Sequence, residues 1–189
     1  MGRVYDGIDV ALGAWLLAQP LFFVATAPAV GGHVNVSPKG LDTFAVLERR
    51  CVAYLDLTGS GVESIAHVRE NGRITLMFCA FEGAPRIVRI SGAGRVVVPS
   101  DSDFAGLARR WPSQPGSRAV IVVDVDRVAD SCGFGVPRMA LIDQREELVR
   151  SAERRGSDGL REYRRARNAQ SIDGLPGLTG SDEGPAERG

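Results

Sequence analysis

Four polar residues have the types and spacing to hold an anion: Ser37, Lys39, Thr58 and Ser60. Ser37-Pro38-Lys39-Gly40 closes one strand-like segment. Thr58-Gly59-Ser60-Gly61 closes another and runs into the start of a helix. Small residues let backbone N–H groups approach an anion closely, and the helix dipole favours negative charge at that end. Lys39 sharpens the reading. It is the single lysine of the chain, and every other member of the 23 Lys+Arg is arginine. Lysine is a flexible point-charge donor often found on phosphates. The pattern therefore points to a phosphate-bearing cofactor.

The elements that must position these groups follow from periodicity. Residues 7–18 place Ile8, Leu12, Trp15 and Leu16 on one apolar helix face, with Asp6 available as a cap and Pro20 as a stop. Residues 21–27 are almost continuously apolar, as expected of a strand covered on both faces. After a Gly-Gly turn, residues 33–37 alternate. His33, Asn35 and Ser37 share one face, and Lys39 follows on the same parity, so these groups could line one pocket. Residues 42–47 read as a short helical turn. Residues 52–57 form a strand with Asp56 near its end. Residues 62–70 form a short helix with Glu63, Ser64, His67 and Glu70 on its polar side, ended by Asn71-Gly72.

Residues 73–81 are a strongly apolar strand, and Glu82-Gly83-Ala84-Pro85 is a hairpin turn signal. Residues 86–90 alternate again. Gly92-Ala93-Gly94 then permits a bend or bulge before 95–98, the kind of kink that a closing barrel needs. Residues 102–110 read as a helix and 118–128 as the most apolar strand. Residues 141–155 and 160–167 read as two surface helices joined at 156–159. About six strands with hairpin connections predict a mainly β, α+β fold: an antiparallel barrel with peripheral helices and a C-terminal helical extension. A regular βαβ alternation is absent, and no GxGxxG follows the first strand, which argues against a dinucleotide-binding fold.

Composition limits the function classes. A chain of 189 residues, 44% hydrophobic and 24% charged, suits one main globular domain. The zero net charge gives no reason to expect nucleic acid or a membrane surface as partner. Three cysteines, Cys51, Cys79 and Cys132, form no CxxC pair and suit a reducing cytoplasm. With only two histidines and no Cys/His cluster, no metal site is expected. The apolar stretch 10–18 lacks the basic start of a signal peptide, and no apolar run is long enough to span a bilayer.

At this point the motifs resemble a known family. Residues 23–27, Gly32-His33-Val34-Asn35-Val36-Ser37-Pro38-Lys39-Gly40, residues 54–61 running into a helix, and residues 71–81 are similar in order and spacing to the pyridoxamine 5'-phosphate oxidase-like proteins. These are FMN-binding split β-barrels, and the likeness covers roughly residues 15–130. Residues 132–137 and 171–176 resemble features of an uncharacterised bacterial subgroup. The resemblance implies a homodimer with FMN in clefts at the interface. It implies that Ser37 to Gly40 lie against the flavin ring and ribityl chain, and that Thr58 to Ser64 hold the phosphate. Many members carry Arg and Lys in that helix turn; here the positions are Glu63 and Ser64.

The candidate cofactor-binding set is Asn35, Val36, Ser37, Pro38, Lys39, Gly40, Asp56, Thr58, Gly59, Ser60 and Ser64, with no catalytic residue assigned. The leading reading is an FMN-dependent oxidoreductase acting on an unidentified small molecule in the cytoplasm. The alternatives are an F420-dependent reductase, or a flavin- or haem-binding barrel without turnover. Haem would need His33 or His67 as axial ligand, although both histidines read as surface or capping residues. The expected organisation is a cofactor-binding domain over 1–138, a helical extension over 139–178 and a disordered tail over 179–189.

Overall fold

The computed structural model describes residues 2–184. Its strands are β1 (Val4–Tyr5), β2 (Phe22–Thr26), β3 (Asn35–Lys39), β4 (Phe44–Glu48), β5 (Cys51–Leu57), β6 (Arg73–Cys79), β7 (Ile87–Val97) and β8 (Ser117–Ser131). Four helices join them: α1 (Val10–Leu17), α2 (Glu63–Asn71), α3 (Phe104–Ala108) and α4 (Glu147–Arg167). The strands form one 8-stranded sheet in the order β3-β2-β6-β7-β8-β5-β4, with β1 paired to β8. All pairings are antiparallel. The sheet curls but does not close, leaving β3 and β4 as edges, which is a split barrel of the α+β class.

Local chemistry explains most boundaries. Asp9, not Asp6, caps α1, its carboxylate accepting the Leu12 N–H at 2.8 Å. Gly72 ends α2 at φ 71°, a left-handed C-cap that glycine adopts without strain. Pro38 is tolerated in β3 because that strand is an edge. The expected kink falls inside β7, which is continuous and bulges between Ser91 and Gly92 against β8. A side chain at Gly92 would run into the Asp124 carbonyl.

Several expectations need correction. Residues 42–47 are not a helical turn. Leu41 and Asp42 make a tight turn at φ 58° and 52°, after which Phe44–Glu48 pairs with β5. A six-residue helix would carry the nucleation penalty with little propagation, whereas a strand gains a ladder at once. The first C-terminal helix starts at Glu147 rather than 141. The two expected helices are one element, broken by non-helical backbone at Gly156 (φ 63°). The stretch after Leu178 does not lack structure where it is described. Gly180–Asp182 forms a 3-10 turn with a capping box, and Asp182 and Glu183 pair with Arg69 and Arg164. The rest of the expected tail, 185–189, lies outside the described residues.

Inside the curl sits an aromatic cluster. Phe22 stacks on Phe78 at 5.3 Å between centroids, and Phe44 meets Phe78 edge-on at 4.8 Å. Tyr54 completes it, edge-on to Phe22 at 5.7 Å. Leu12 and Leu16 of α1, Ile65 and Val68 of α2, and Leu178 of the C-terminal stretch belong to the same core. Because Phe78 is fully buried and touches two other rings, Phe78→Ala should cost about 3–5 kcal/mol, read from the midpoint of chemical denaturation.

Candidate functional site

The site is built around a buried carboxylate. The β5 position of Asp56 lies beside β8, and the side chain is fully buried. Two cations meet it. Lys39 Nζ, at the end of β3, donates to Asp56 Oδ1 at 2.7 Å, and Arg118 Nε, at the start of β8, donates to Asp56 Oδ2 at 2.7 Å. Burial alone would raise this carboxyl, but Arg118 and Lys39 outweigh it and bring it down to about 2. Lys39 also sits 5.7 Å from the centre of the Tyr54 ring.

The guanidinium of Arg118 is held from a second side. Its Nη1 donates to Asn168 Oδ1 at 2.9 Å, while Asn168 Nδ2 donates to the Gly59 carbonyl at 3.0 Å. Asn168 is itself fully buried. Thus a residue just beyond α4 ties the β5–α2 loop to Arg118. Arg164 extends the tie. It forms a two-pronged pair with Glu183, 2.7 Å at each prong, and its Nη1 reaches Thr58 Oγ1 at 3.2 Å.

A chain of neutral polar groups runs alongside. Asn35 Nδ2 donates to Ser64 Oγ at 3.0 Å and to Thr26 Oγ1 at 3.2 Å, and Ser37 Oγ donates to Asn35 Oδ1 at 3.0 Å. His67, expected on the polar side of α2, is fully buried with Nδ1 3.0 Å from Thr26 Oγ1. Ser64 is buried as well, because α2 packs this face onto β2 and β3 rather than presenting it to water. His33 pairs with Asp173 at 2.7 Å. The Tyr54 hydroxyl is buried without a hydrogen-bond partner among the described residues, and burial pushes its pKa well up.

Some of these groups face a cleft of about 210 Å³ lined by Ser37, Lys39, Gly59, Glu63, Ser64 and Arg118 among others. Beside it lies a wide groove of about 1660 Å³ bordered by Leu21, Phe81, Met139 and Leu141. Pro38, Gly40, Leu41 and Leu148 belong to both walls. Polar cleft and apolar groove therefore adjoin across these four residues, an arrangement suited to a ligand with an anionic end and a flat apolar end.

Of the sequence-derived set, Ser37, Pro38, Lys39, Gly40, Gly59 and Ser64 line the cleft. Asn35 and Asp56 stand behind it as partners of Ser64, Lys39 and Arg118. Val36 and Ser60 are exposed and outside the lining, and the Thr58 hydroxyl is committed to the Gly116 carbonyl at 2.8 Å and to Arg164. Sequence reasoning missed Arg118, Asn168 and Leu148. Arg118 did carry a signal: it is a charge opening the apolar run Ala119-Val120-Ile121-Val122-Val123, and a charge beside a buried strand needs a partner.

Comparison with known proteins bears on this geometry. The pyridoxamine 5'-phosphate oxidase family model matches residues 8–132. A curated relative, the pyridoxamine 5'-phosphate oxidase family protein ustO of Aspergillus flavus, is 46% identical over 191 residues, covering 92% of this chain and 77% of its own. The chain belongs to the pyridoxamine 5'-phosphate oxidase family. That relative is fungal, so the likeness is not confined to bacteria. Among solved structures, HupZ of Group A Streptococcus is 19% identical and covers 70% of this chain and 99% of its own, with a TM-score of 0.53. A candidate pyridoxamine 5'-phosphate oxidase of Lactobacillus delbrueckii is 18% identical, covering 67% and 98%, with a TM-score of 0.52. At these identities the structural likeness is one of fold. The family match ends at residue 132, whereas Asn168 and Arg164 lie beyond it. Among the described residues no helix is long and apolar enough to cross a membrane, and no three His, Cys, Asp or Glu side chains come together to hold a metal ion.

The lowered pKa of Asp56 fixes the sign of a pH effect. Its pairing contributes stability in full above the ordinary carboxylate value of 3.8, and that contribution is lost as pH falls through about 2. Urea unfolding at pH 4 and pH 2 should reveal an Asp56-dependent loss of about 2 kcal/mol. Asp56→Asn should abolish that component and cost about 3–5 kcal/mol at pH 7, because buried Arg118 and half-buried Lys39 lose their partner.

Proposed function

We propose that this chain is an FMN-binding oxidoreductase that works as a homodimer. The observation that carries the reading is a polar cleft holding Lys39 and Arg118 that shares Pro38, Gly40, Leu41 and Leu148 with a wide, mostly apolar groove. The residues present fit the group. Lys39 and Arg118 set two positive charges against the single buried carboxylate of Asp56. Ser37 and Ser64 add hydroxyls to the lining. FMN, when bound, supplies hydride and single-electron chemistry, and the protein supplies binding, orientation and electrostatics. Here Leu148 and Leu41 would flank the ring, and Asn35 would hold Ser37 and Ser64 in place toward the ribityl chain. A second copy of the chain would cover the exposed Met139, Leu141 and Ile142 beside the groove.

The alternatives fit less well. F420 has a longer anionic tail, but the groove sets Arg86 and Arg145 against Glu82, Asp143 and Glu147 and so offers no basic track. Haem would need an axial ligand, and neither His33 nor His67 lines the cleft or the groove. A non-catalytic flavin carrier is separated from an oxidoreductase by turnover with added reductants and acceptors.

The test is an absorption and fluorescence titration of the purified protein with FMN, run beside size measurement in solution. Saturable quenching of FMN fluorescence and a dimeric mass are expected. No binding would overturn the flavin reading. Leu148 is partly exposed at the joint between cleft and groove, so Leu148→Glu should weaken FMN at least tenfold while changing stability by no more than about 0.5 kcal/mol.

A further inference from the structure

The loop leading into α2 is the obvious place for an anion, yet in this chain that place is already filled. The Glu63 carboxylate folds back over Gly61, so close that a side chain at Gly61 would collide with it. Its Oε1 accepts the Ile172 N–H at 3.3 Å, so the C-terminal stretch holds it there. No side chain caps the start of α2, and Glu63 itself supplies the negative charge that the helix dipole favours. A phosphate brought to the same spot would meet a carboxylate.

Arg118 offers what the helix end does not. It is nine-tenths or more buried and lines the cleft. Nε is used by Asp56 and Nη1 by Asn168, whereas Nη2 has no partner among the described residues. Asp56 on one side and Asn168 on the other fix the plane of the guanidinium, so the N–H groups of Nη2 are held in a fixed orientation at a residue that lines the cleft. With Lys39 sharing the same carboxylate, the pair carries one positive charge more than Asp56 neutralises.

We propose that Arg118, held by Asp56 and Asn168, is the phosphate ligand of this site, and that Glu63 is a specificity-determining carboxylate that keeps the phosphate off the start of α2. The assignment rests on the flavin reading given above. It makes the phosphomonoester of FMN, rather than the ring alone, the group that Arg118 recognises. It also gives the C-terminal extension a role in binding, because Asn168 orients Arg118 and Ile172 anchors Glu63. Charge-assisted hydrogen bonds from a planar guanidinium suit a phosphate well.

The experiment compares FMN with riboflavin, which has the same ring and ribityl chain but no phosphate. Dissociation constants for both are measured by fluorescence quenching on the wild type, Arg118→Gln, Arg118→Lys and Glu63→Gln. The wild type should prefer FMN. Arg118→Gln should reduce the FMN-to-riboflavin preference about tenfold or more while riboflavin still binds. Arg118→Lys should keep part of the preference, since it retains charge but loses the fork. Glu63→Gln leaves the Asp56 pairing untouched and should raise the preference several-fold. An unchanged preference in Arg118→Gln, or in Glu63→Gln should the arginine variants fail to fold, overturns the assignment while leaving the flavin reading standing. Failure of the wild type to bind either compound removes the flavin reading and this assignment together.

Discussion

The carboxylate of Asp56 is the charge around which the sheet and the C-terminal extension are fixed. A buried anion is costly unless paired and hydrogen-bonded. Asp56 meets that requirement with Lys39 from the sheet edge and Arg118 from the longest strand. Arg118 in turn needs Asn168, and Asn168 holds the Gly59 carbonyl. One desolvated carboxylate thereby sets the positions of β3, β8, the β5–α2 loop and the end of α4. Removing any member leaves the others with unmatched charge or unmatched hydrogen bonds.

The extension beyond the family-matched region is therefore part of the site's construction. Leu178 joins the barrel core, Leu148 walls the cleft, and Asn168, Arg164 and Glu183 lock the loop that precedes α2. His33–Asp173 and Arg69–Asp182 fasten the same stretch to the β2–β3 connection and to α2. The β-barrel supplies the scaffold, and the extension supplies the contacts that complete its polar arrangement.

The sequence made the barrel readable where burial enforces a plain pattern. Residues 21–27, 52–57 and 73–81 match β2, β5 and β6 because all three read as apolar runs; β5 is covered on both faces as such a run implies, whereas in β2 and β6 buried positions alternate with less buried ones. It misled at β4, where Leu41 and Asp42 adopt positive φ without being glycine, so no turn signal marked the strand that follows. The half of the site on β3 and in the loop after β5 was legible from serine, glycine and the lone lysine. Its other half was not, because Arg118 reaches Asp56 across 62 positions and Asn168 reaches Arg118 across 50. Such pairings depend on sheet register and on where α4 docks, and no local periodicity encodes either. His67 was misplaced for a related reason: its polarity suggested solvent, but the ring is buried, with Nδ1 bonded to Thr26 and Nε2 left without a partner among the described residues.

The strand that carries Ser37, Pro38 and Lys39 is also an open edge of the sheet. Unpaired edges invite strands of other chains to add on, and natural sheets blunt them with proline and with charges that point inward. Pro38 has no N–H to offer such a strand, and Lys39 is drawn in to Asp56. The same two residues that shape the cleft thus guard the sheet against edge-to-edge aggregation. Edge protection and the shape of the cleft are bound together in β3, so a change that serves one constrains the other.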